Sequence, residues 1–133
     1  MMTEKVDIFQ YDGQGMAVSY SQDNWVVGIK NYKPASDPAN IQCLERHLQT
    51  DELFIPLTPG NVLIYRQNGS LRFVPMEIGR IYAVGQGTWH NVLMRPTGKL
   101  ALTERAGTSM DNSETDMLSP AERAEVLAAL EGV

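Results

Sequence analysis

Short apolar runs separated by closely spaced turns make up most of the chain from residue 6 to residue 105. The runs are rich in β-branched and aromatic residues and hold four to eight residues each, which is typical of strands. The pair Asn68-Gly69 is the strongest hairpin signal among the turns. We therefore predict an antiparallel sandwich or barrel, with strands at 6–11, 16–20, 25–32, 41–48, 52–57, 62–66, 71–74, 80–84, 89–94 and 99–105.

The pattern changes after Arg105. Residues 106–118 are polar and show no periodicity, so we expect a loop there. Residues 119–122 (Ser-Pro-Ala-Glu) then combine an N-cap serine, a proline at the first helical position and a glutamate that closes a capping box. We predict one helix over about residues 120–131, packed on the outside of the barrel through an apolar stripe of Val126, Leu127 and Leu130.

Size and charge narrow the class of protein. A length of 133 residues fits one domain spanning residues 1–133 with a core of its own. The net charge of −5 argues against nucleic acid and anionic membranes as partners. A single cysteine, Cys43, excludes an intrachain disulfide and is typical of a reducing compartment. Charged residues near the start and the lack of a long apolar run predict a soluble, cytoplasmic protein.

The candidate chemistry centres on two histidines that lie in predicted strands. His47 shares a strand face with Glu45, because residues two apart on a strand point to the same side. A turn through residues 49–51 reverses the chain and brings Glu52 beside His47 at the start of the next strand. His90 lies on a distant strand, and closure of the barrel can bring it to the same interior point.

These four side chains form a mixed nitrogen and oxygen set that suits a divalent metal ion such as Mn, Fe, Ni or Zn. Such a site would lose metal as the pH falls through the histidine range near ~6.5. Taken singly, the residues also have structural explanations: a hydrogen-bonded strand histidine for His47, and solvated charges for Glu45 and Glu52. Cys43 is best explained as a small buried hydrophobic residue, with a third soft ligand or a reactive thiol as alternatives.

Two segments carry a family resemblance. Glu-x-His-x-x-x-x-Glu over residues 45–52, followed by Gly60, resembles the first motif of the cupins. Gly79, followed by Gly-Thr-Trp-His-Asn over residues 87–91, resembles the second cupin motif. The resemblance covers residues 41–94 and implies an all-β, jelly-roll barrel with a metal ion in its interior. It also implies that the metal-ligating histidine of the second motif is His90.

A narrower resemblance lies within the cupins. Glu-Arg-His at 45–47, Phe-Ile-Pro-Leu at 54–57 and Gly-Thr-Trp-His at 87–90 resemble the ureidoglycolate lyases, also called ureidoglycolate hydrolases. The resemblance implies a lyase that splits ureidoglycolate into glyoxylate and urea during allantoin degradation, a part of purine metabolism. The chain departs from that family at Glu52, where glutamine is common.

In that reaction the substrate would chelate one metal ion through its carboxylate and hydroxyl groups. Glu52 and His90 are the candidate catalytic residues, with Glu52 placed to take the hydroxyl proton while an acid protonates the departing urea. The substrate carboxylate requires a cationic partner. Strand parity does not choose among Arg66, Arg80 and Arg105 for that role.

Two other functions stay open from the sequence: a cupin that binds a small ligand without chemistry, and a cupin isomerase or dioxygenase of unknown substrate. A small molecule is the expected partner in each case. We also expect a homodimer, because short barrels leave edge strands exposed. The apolar runs at residues 6–9 and 25–29 are the predicted contact.

Overall fold

The computed structural model describes residues 4–130, which form two five-stranded antiparallel sheets, one α-helix and two short 3-10 helices. The first sheet has the order β1 (Gly15–Gln22), β2 (Trp25–Asn31), β9 (Lys99–Arg105), β4 (Glu52–Pro56), β7 (Tyr82–Val84). The second has the order β10 (Ser113–Met117), β3 (Cys43–His47), β8 (His90–Leu93), β5 (Val62–Gln67), β6 (Ser70–Pro75). Helix α1 covers Pro120–Ala129. The predicted all-β fold with one C-terminal helix is confirmed.

The predicted hairpin at Asn68-Gly69 connects β5 to β6. Its two central residues have φ angles of 54° and 80°, and Gln67 lies opposite Ser70 in the ladder. A two-residue turn of this kind needs positive φ at both positions, which asparagine and glycine tolerate better than other residues. The turn therefore fixes the register of β5, whose neighbour β8 carries His90.

Apolar side chains form two separate layers. The layer between the two sheets consists of Phe54, Leu63, Met76, Val84, Val92, Met94, Leu100 and Leu102. The second layer lies on the outer face of the second sheet, where Val126 of α1 and Leu130 pack against strand residues such as Leu44 and Ile64. The helix is thus outside the barrel, as predicted. Leu127 is 50% exposed, because consecutive helical residues point about 100° apart and Val126 faces the sheet.

Two of the predicted elements were wrong. Residues 6–11 form no strand: Val6 and Ile8 are exposed to solvent, and at the end of the run the backbone carbonyl of Tyr11 accepts a hydrogen bond from the side chain of Asn31. The predicted loop at 106–118 contains β10, a strand of polar and exposed residues that pairs along β3. The last predicted helical residue, Glu131, lies outside the described residues.

Arg66 anchors the helix to the barrel. Its Nε and Nη2 atoms donate hydrogen bonds to the two carboxylate oxygens of Glu122, at 2.8 and 2.9 Å, and its guanidinium also pairs with Asp116. The same carboxylate accepts the backbone N–H of Ser119 at 2.9 Å, which completes the predicted capping box. These bonds, the one from Arg66 above all, lower the pKa of Glu122 to about 2.

Replacing Glu122 with glutamine should lower the free energy of unfolding at pH 7 by about 1–2 kcal/mol. This is the usual contribution of a hydrogen bond between charged groups, reduced because solvent partly screens the pair. Because the folded-state pKa lies below the ordinary value of 4.5, the contribution is present above that value. It should fade as the pH falls from there towards 2. Urea denaturation at several pH values measures this, with Glu125→Gln on the exposed helix surface as the control. If the difference in free energy of unfolding between wild type and Glu122→Gln stays constant down to pH 3, the ionised Glu122 carboxylate does not supply this stability.

Within residues 4–130, no helix combines the length and apolarity needed to cross a bilayer. The surface predicted to form a dimer contact carries large exposed side chains: Val6 and Ile8 are 88% and 90% exposed, and Trp25 is 43% exposed. The homodimer stays a prediction.

Candidate metal centre

Four side chains from both sheets converge at one end of the interior layer. One ligand atom each from Glu45, His47, Glu52 and His90 lies within 4.8 Å of the others. Glu45 and His47 project from one face of β3, and Glu45 lies directly opposite His90 in the ladder with β8. Glu52 begins β4 in the facing sheet, so it closes the cluster from the other side.

Backbone and loop contacts hold these strands in register. The N–H of Gly87 donates to the carbonyl of His47 at 2.8 Å, and Gly87 has a φ of 81° that favours glycine. The N–H of Gln86 donates to Asp51 at 2.7 Å, and the Gln86 side chain donates to the carbonyl of Leu48 at 2.6 Å. The loop before β8 is thereby tied to the turn between β3 and β4, which fixes the histidines relative to Glu52.

The hydrogen bonds of His90 determine which ring nitrogen faces the cluster. Nδ1 donates to the carbonyl oxygen of Thr88 at 2.8 Å, since that oxygen can only accept. In a neutral ring Nε2 then carries no proton, yet it lies 3.0 Å from Oε1 of Glu52. His47 Nε2 approaches the same oxygen at 3.1 Å, and its Nδ1 lies 2.8 Å from the hydroxyl of Ser113 on β10.

Since Nε2 of a neutral His90 and Oε1 of Glu52 are both acceptors, their separation of 3.0 Å requires either a second proton on the His90 ring or a metal ion between the two atoms. The donor set fits a metal ion: two Nε2 atoms whose rings are oriented through Nδ1, and two carboxylates. The cluster can therefore bind a divalent ion through Glu45, His47, Glu52 and His90. The donor types suit Mn, Fe, Ni and Zn without choosing among them.

Contacts within the cluster shift the pKa values of Glu52 and His47. Burial opposes ionisation of Glu52, but hydrogen bonds with His47 and His90 outweigh it and lower the pKa of Glu52 to about 2. The bond with Glu52 in turn raises the pKa of His47 above its ordinary value. Glu52 is therefore a carboxylate at every physiological pH.

Glu104 belongs to the same site and was missed by the sequence analysis. It lies opposite Glu52 in the β4–β9 ladder, and its Oε2 lies 3.8 Å from Nε2 of His47. That oxygen is buried without a hydrogen-bond partner among the described residues. Burial and the charge of Glu52 raise the pKa of Glu104 to about 7. Strand alternation was the available signal, since Glu104 follows the buried Leu100 and Leu102 at intervals of two residues.

Lys30 was also missed. It lies on β2 on the same face as the buried Val26 and Gly28, lines the cavity next to the cluster and is half-buried. Burial lowers the pKa of Lys30, and the nearby carboxylates, Glu45 first, oppose that shift. Its ammonium group makes no hydrogen bond or ion pair with any residue in the range 4–130. Strand alternation could have revealed Lys30, since it lies two and four residues after the interior positions Gly28 and Val26.

The three arginines proposed to hold a substrate carboxylate do not reach the cluster, so that prediction is corrected. Arg66 lies on the outer face of its strand, bound to Glu122. Arg80 lies in the turn after β6 and pairs with Glu77, with 68% of its side chain exposed. Arg105 follows Glu104 directly and therefore points away from the site, into solvent.

The cluster borders a cavity of about 210 Å³. Phe54, Val92 and Leu102 form its apolar part, and Thr108, Ser109 and Met110 from the loop before β10 also line it. The volume is below the roughly 300–1,000 Å³ of pockets for drug-sized ligands. A substrate bound wholly in this cavity is therefore a small molecule.

No protein-family model matches the chain, and a comparison with curated proteins found no match. Among solved structures, a variant of Streptomyces PAC13 with uridine superposes with a TM-score of 0.61 at 11% identity, over 94% of this chain and 98% of that one. PAC13 is described as a nucleoside dehydratase. A variant of Bacillus subtilis oxalate decarboxylase gives 0.52 at 18% identity, over 83% of this chain and 29% of that one.

A protein from Shewanella frigidimarina that contains a cupin-2 domain superposes with a TM-score of 0.50 at 16% identity. The superposition covers 71% of this chain and 84% of that one. At these identities the similarity establishes the fold alone. The chain has a cupin fold with a His/Glu cluster that can bind a metal ion, and the resemblance to ureidoglycolate lyases stays a prediction.

Proposed function

We propose that the protein is a metal-dependent lyase that acts on a small 2-hydroxy acid, with ureidoglycolate as the first substrate to test. One observation carries this proposal: the Nε2 atoms of His47 and His90 both lie about 3 Å from Oε1 of Glu52, beside a small cavity. Glu45, His47, Glu52 and His90 would hold the ion. A divalent ion in this set would supply Lewis acidity to a substrate hydroxyl group.

Two residues found in the structure complete the machinery. Lys30 is the cation that lines the cavity, so it takes the role of binding the substrate carboxylate that the sequence analysis gave to an arginine. Glu104 has a buried carboxyl group beside Glu52, with one oxygen 3.8 Å from Nε2 of His47. Glu52, whose pKa is lowered to about 2, is ionised, whereas Glu104, whose pKa is raised to about 7, can hold a proton near neutral pH. This difference allows acid and base roles to be divided between the two carboxyl groups.

In the proposed reaction Glu52 takes the proton of the substrate hydroxyl group. The oxygen electron pair forms the glyoxylate carbonyl, and the bond between that carbon and the ureido nitrogen breaks. The nitrogen leaves with the bonding pair and receives the Glu104 proton, so the products are glyoxylate and urea. Because Glu52 and Glu104 are neighbours across the β4–β9 ladder, the proton can then return from Glu52 to Glu104.

The direct test is metal analysis of the purified protein followed by a urea-release assay with ureidoglycolate. We expect about one divalent ion per chain and urea release that stops when the ion is removed by a chelator. Bound metal without urea release would instead support a ligand-binding cupin, or an isomerase or dioxygenase. Absence of both metal and turnover would overturn the proposal.

Replacing Glu52 with glutamine separates its two roles. The amide oxygen can still contact a metal ion, but the amide cannot accept the hydroxyl proton, so we expect metal to be retained and turnover to fall by about 10²–10⁴-fold. Metal content and kcat are measured on the same preparation. Full turnover in Glu52→Gln would show that Glu52 is not the base. Glu52 would then have no role beyond that of the glutamine that ureidoglycolate lyases commonly carry at this position.

A further inference from the structure

A second cavity, of about 540 Å³, adjoins the candidate metal centre. It lies against the connection between β2 and β3, and it shares Lys30, Glu45 and Asn91 with the first cavity. We call it the lysine cleft, and its walls are formed by residues 30, 33–36, 40–43, 45 and 91. The two cavities meet at these three shared side chains, one of which belongs to the metal cluster.

The lysine cleft is lined by two cations, Lys30 and Lys33, and one carboxylate, Glu45. Lys30 stands at the junction, and Lys33 lies on the exposed side of the cleft with the amide side chains of Asn40 and Gln42. Like Lys30, Lys33 makes no ion pair or side-chain hydrogen bond within the described part of the chain. Burial lowers the pKa of Lys30; the carboxylates of Glu45 and Glu52 oppose that shift, and the positive charge of Lys33 adds to it.

Glu45 also lines the cleft, but it belongs to the metal cluster, where a bound divalent ion would neutralise its charge. An anion bound between Lys30 and Lys33 would then supply the counter-charge that the two lysines lack. The chain has 16 Asp and Glu against 11 Lys and Arg, yet no carboxylate within residues 4–130 forms an ion pair with either lysine. In an acidic protein this cleft is a local site that attracts anions.

We propose that the lysine cleft binds a second anionic group of the substrate, a carboxylate or a phosphate, so that the preferred substrates are 2-hydroxy acids with an additional anion. This inference rests on the proposed function, since the hydroxy-acid end occupies the metal centre. Lys30 contacts the first carboxylate, and Lys33 with the Asn40 and Gln42 amides contacts the second anion. The ureido group of ureidoglycolate would leave Lys33 without a counter-charge.

Matched pairs of ligands test this by calorimetric titration of the metal-loaded protein at low salt. The pairs are 2-hydroxyglutarate with 2-hydroxyvalerate for the carboxylate, and 3-phosphoglycerate with glycerate for the phosphate. We expect the member with the extra anion to bind at least about tenfold more tightly in one pair, which identifies the group. Raising the salt concentration should reduce that preference.

The variant Lys33→Met should reduce the preference to less than about threefold and leave the affinity for 2-hydroxyvalerate unchanged, because the metal centre is intact. Lys5→Met is the matched control, since Lys5 lies on the surface beside Asp7. Equal affinities within both pairs would overturn the inference but not the proposed function. A preference that persists in Lys33→Met would overturn the assignment to this cleft. Failure of all four acids to bind would overturn the proposed function along with the inference.

Discussion

Replacing His90 with alanine is expected to abolish metal binding and, with it, turnover of any hydroxy acid. His90 is 1% exposed, and its ring is held by the Thr88 carbonyl so that Nε2 faces Glu52. Its removal deletes one of only two nitrogen ligands, so we expect the metal affinity to fall by more than the 10–100-fold typical of losing an outer-shell partner. Titration calorimetry with MnCl₂, NiCl₂ and ZnCl₂ measures the loss.

A buried substitution can also unfold a protein, so two further variants accompany it. His47→Ala removes the other nitrogen ligand from β3 and should give the same loss of metal. Cys43→Ala changes a half-buried residue on the same strand face that is not part of the cluster, and it should bind metal like the wild type. Circular dichroism should show that all three variants retain the β spectrum of the wild type. Wild-type metal affinity in folded His90→Ala and His47→Ala would refute the site.

The second large effect is expected at Glu104. Glutamine has almost the shape of a protonated glutamate, so Glu104→Gln preserves the packing beside Glu52 but removes the proton needed by the departing nitrogen. We expect kcat to fall by about 10²–10⁴-fold, the usual contribution of a general acid, with metal content unchanged. A steady-state urea-release assay and metal analysis on the same sample measure both quantities.

Glu77→Gln serves as the control, because Glu77 is an exposed partner of Arg80 and lies outside the cavity. A leaving group that needs no proton, such as an activated ureide, should restore much of the rate of Glu104→Gln. If Glu104→Gln keeps full activity with ureidoglycolate, Glu104 is not the acid.

The ligand cluster was predictable because its geometry depends on local rules. Glu45 and His47 share a face through strand alternation alone. Glu52 needed only a reversal of the chain over residues 49–51, and the motif around His90 supplied the fourth ligand. Each of these steps uses short-range information that the sequence contains.

The rest of the site depends on which strands become neighbours, which alternation does not reveal. Glu104 meets Glu52 only because β9 lies next to β4 in the sheet. Ser113 orients His47 from β10, a strand whose polar residues have no apolar period and which forms through its ladder with β3. For the same reason Arg66 was one of three arginines considered for the substrate carboxylate on the basis of charge alone, although its position on β5 directs it to the helix.

The central claim is that Glu45, His47, Glu52 and His90 share one divalent ion. The most direct measurement is anomalous diffraction from crystals grown with Mn²⁺, Ni²⁺ or Zn²⁺ near pH 7.5. We predict one strong anomalous peak per chain within about 2.0–2.3 Å of both histidine Nε2 atoms and of carboxylate oxygens from Glu45 and Glu52. An empty cluster in which protonated histidines still contact Glu52, or a peak elsewhere in the barrel, would contradict the claim.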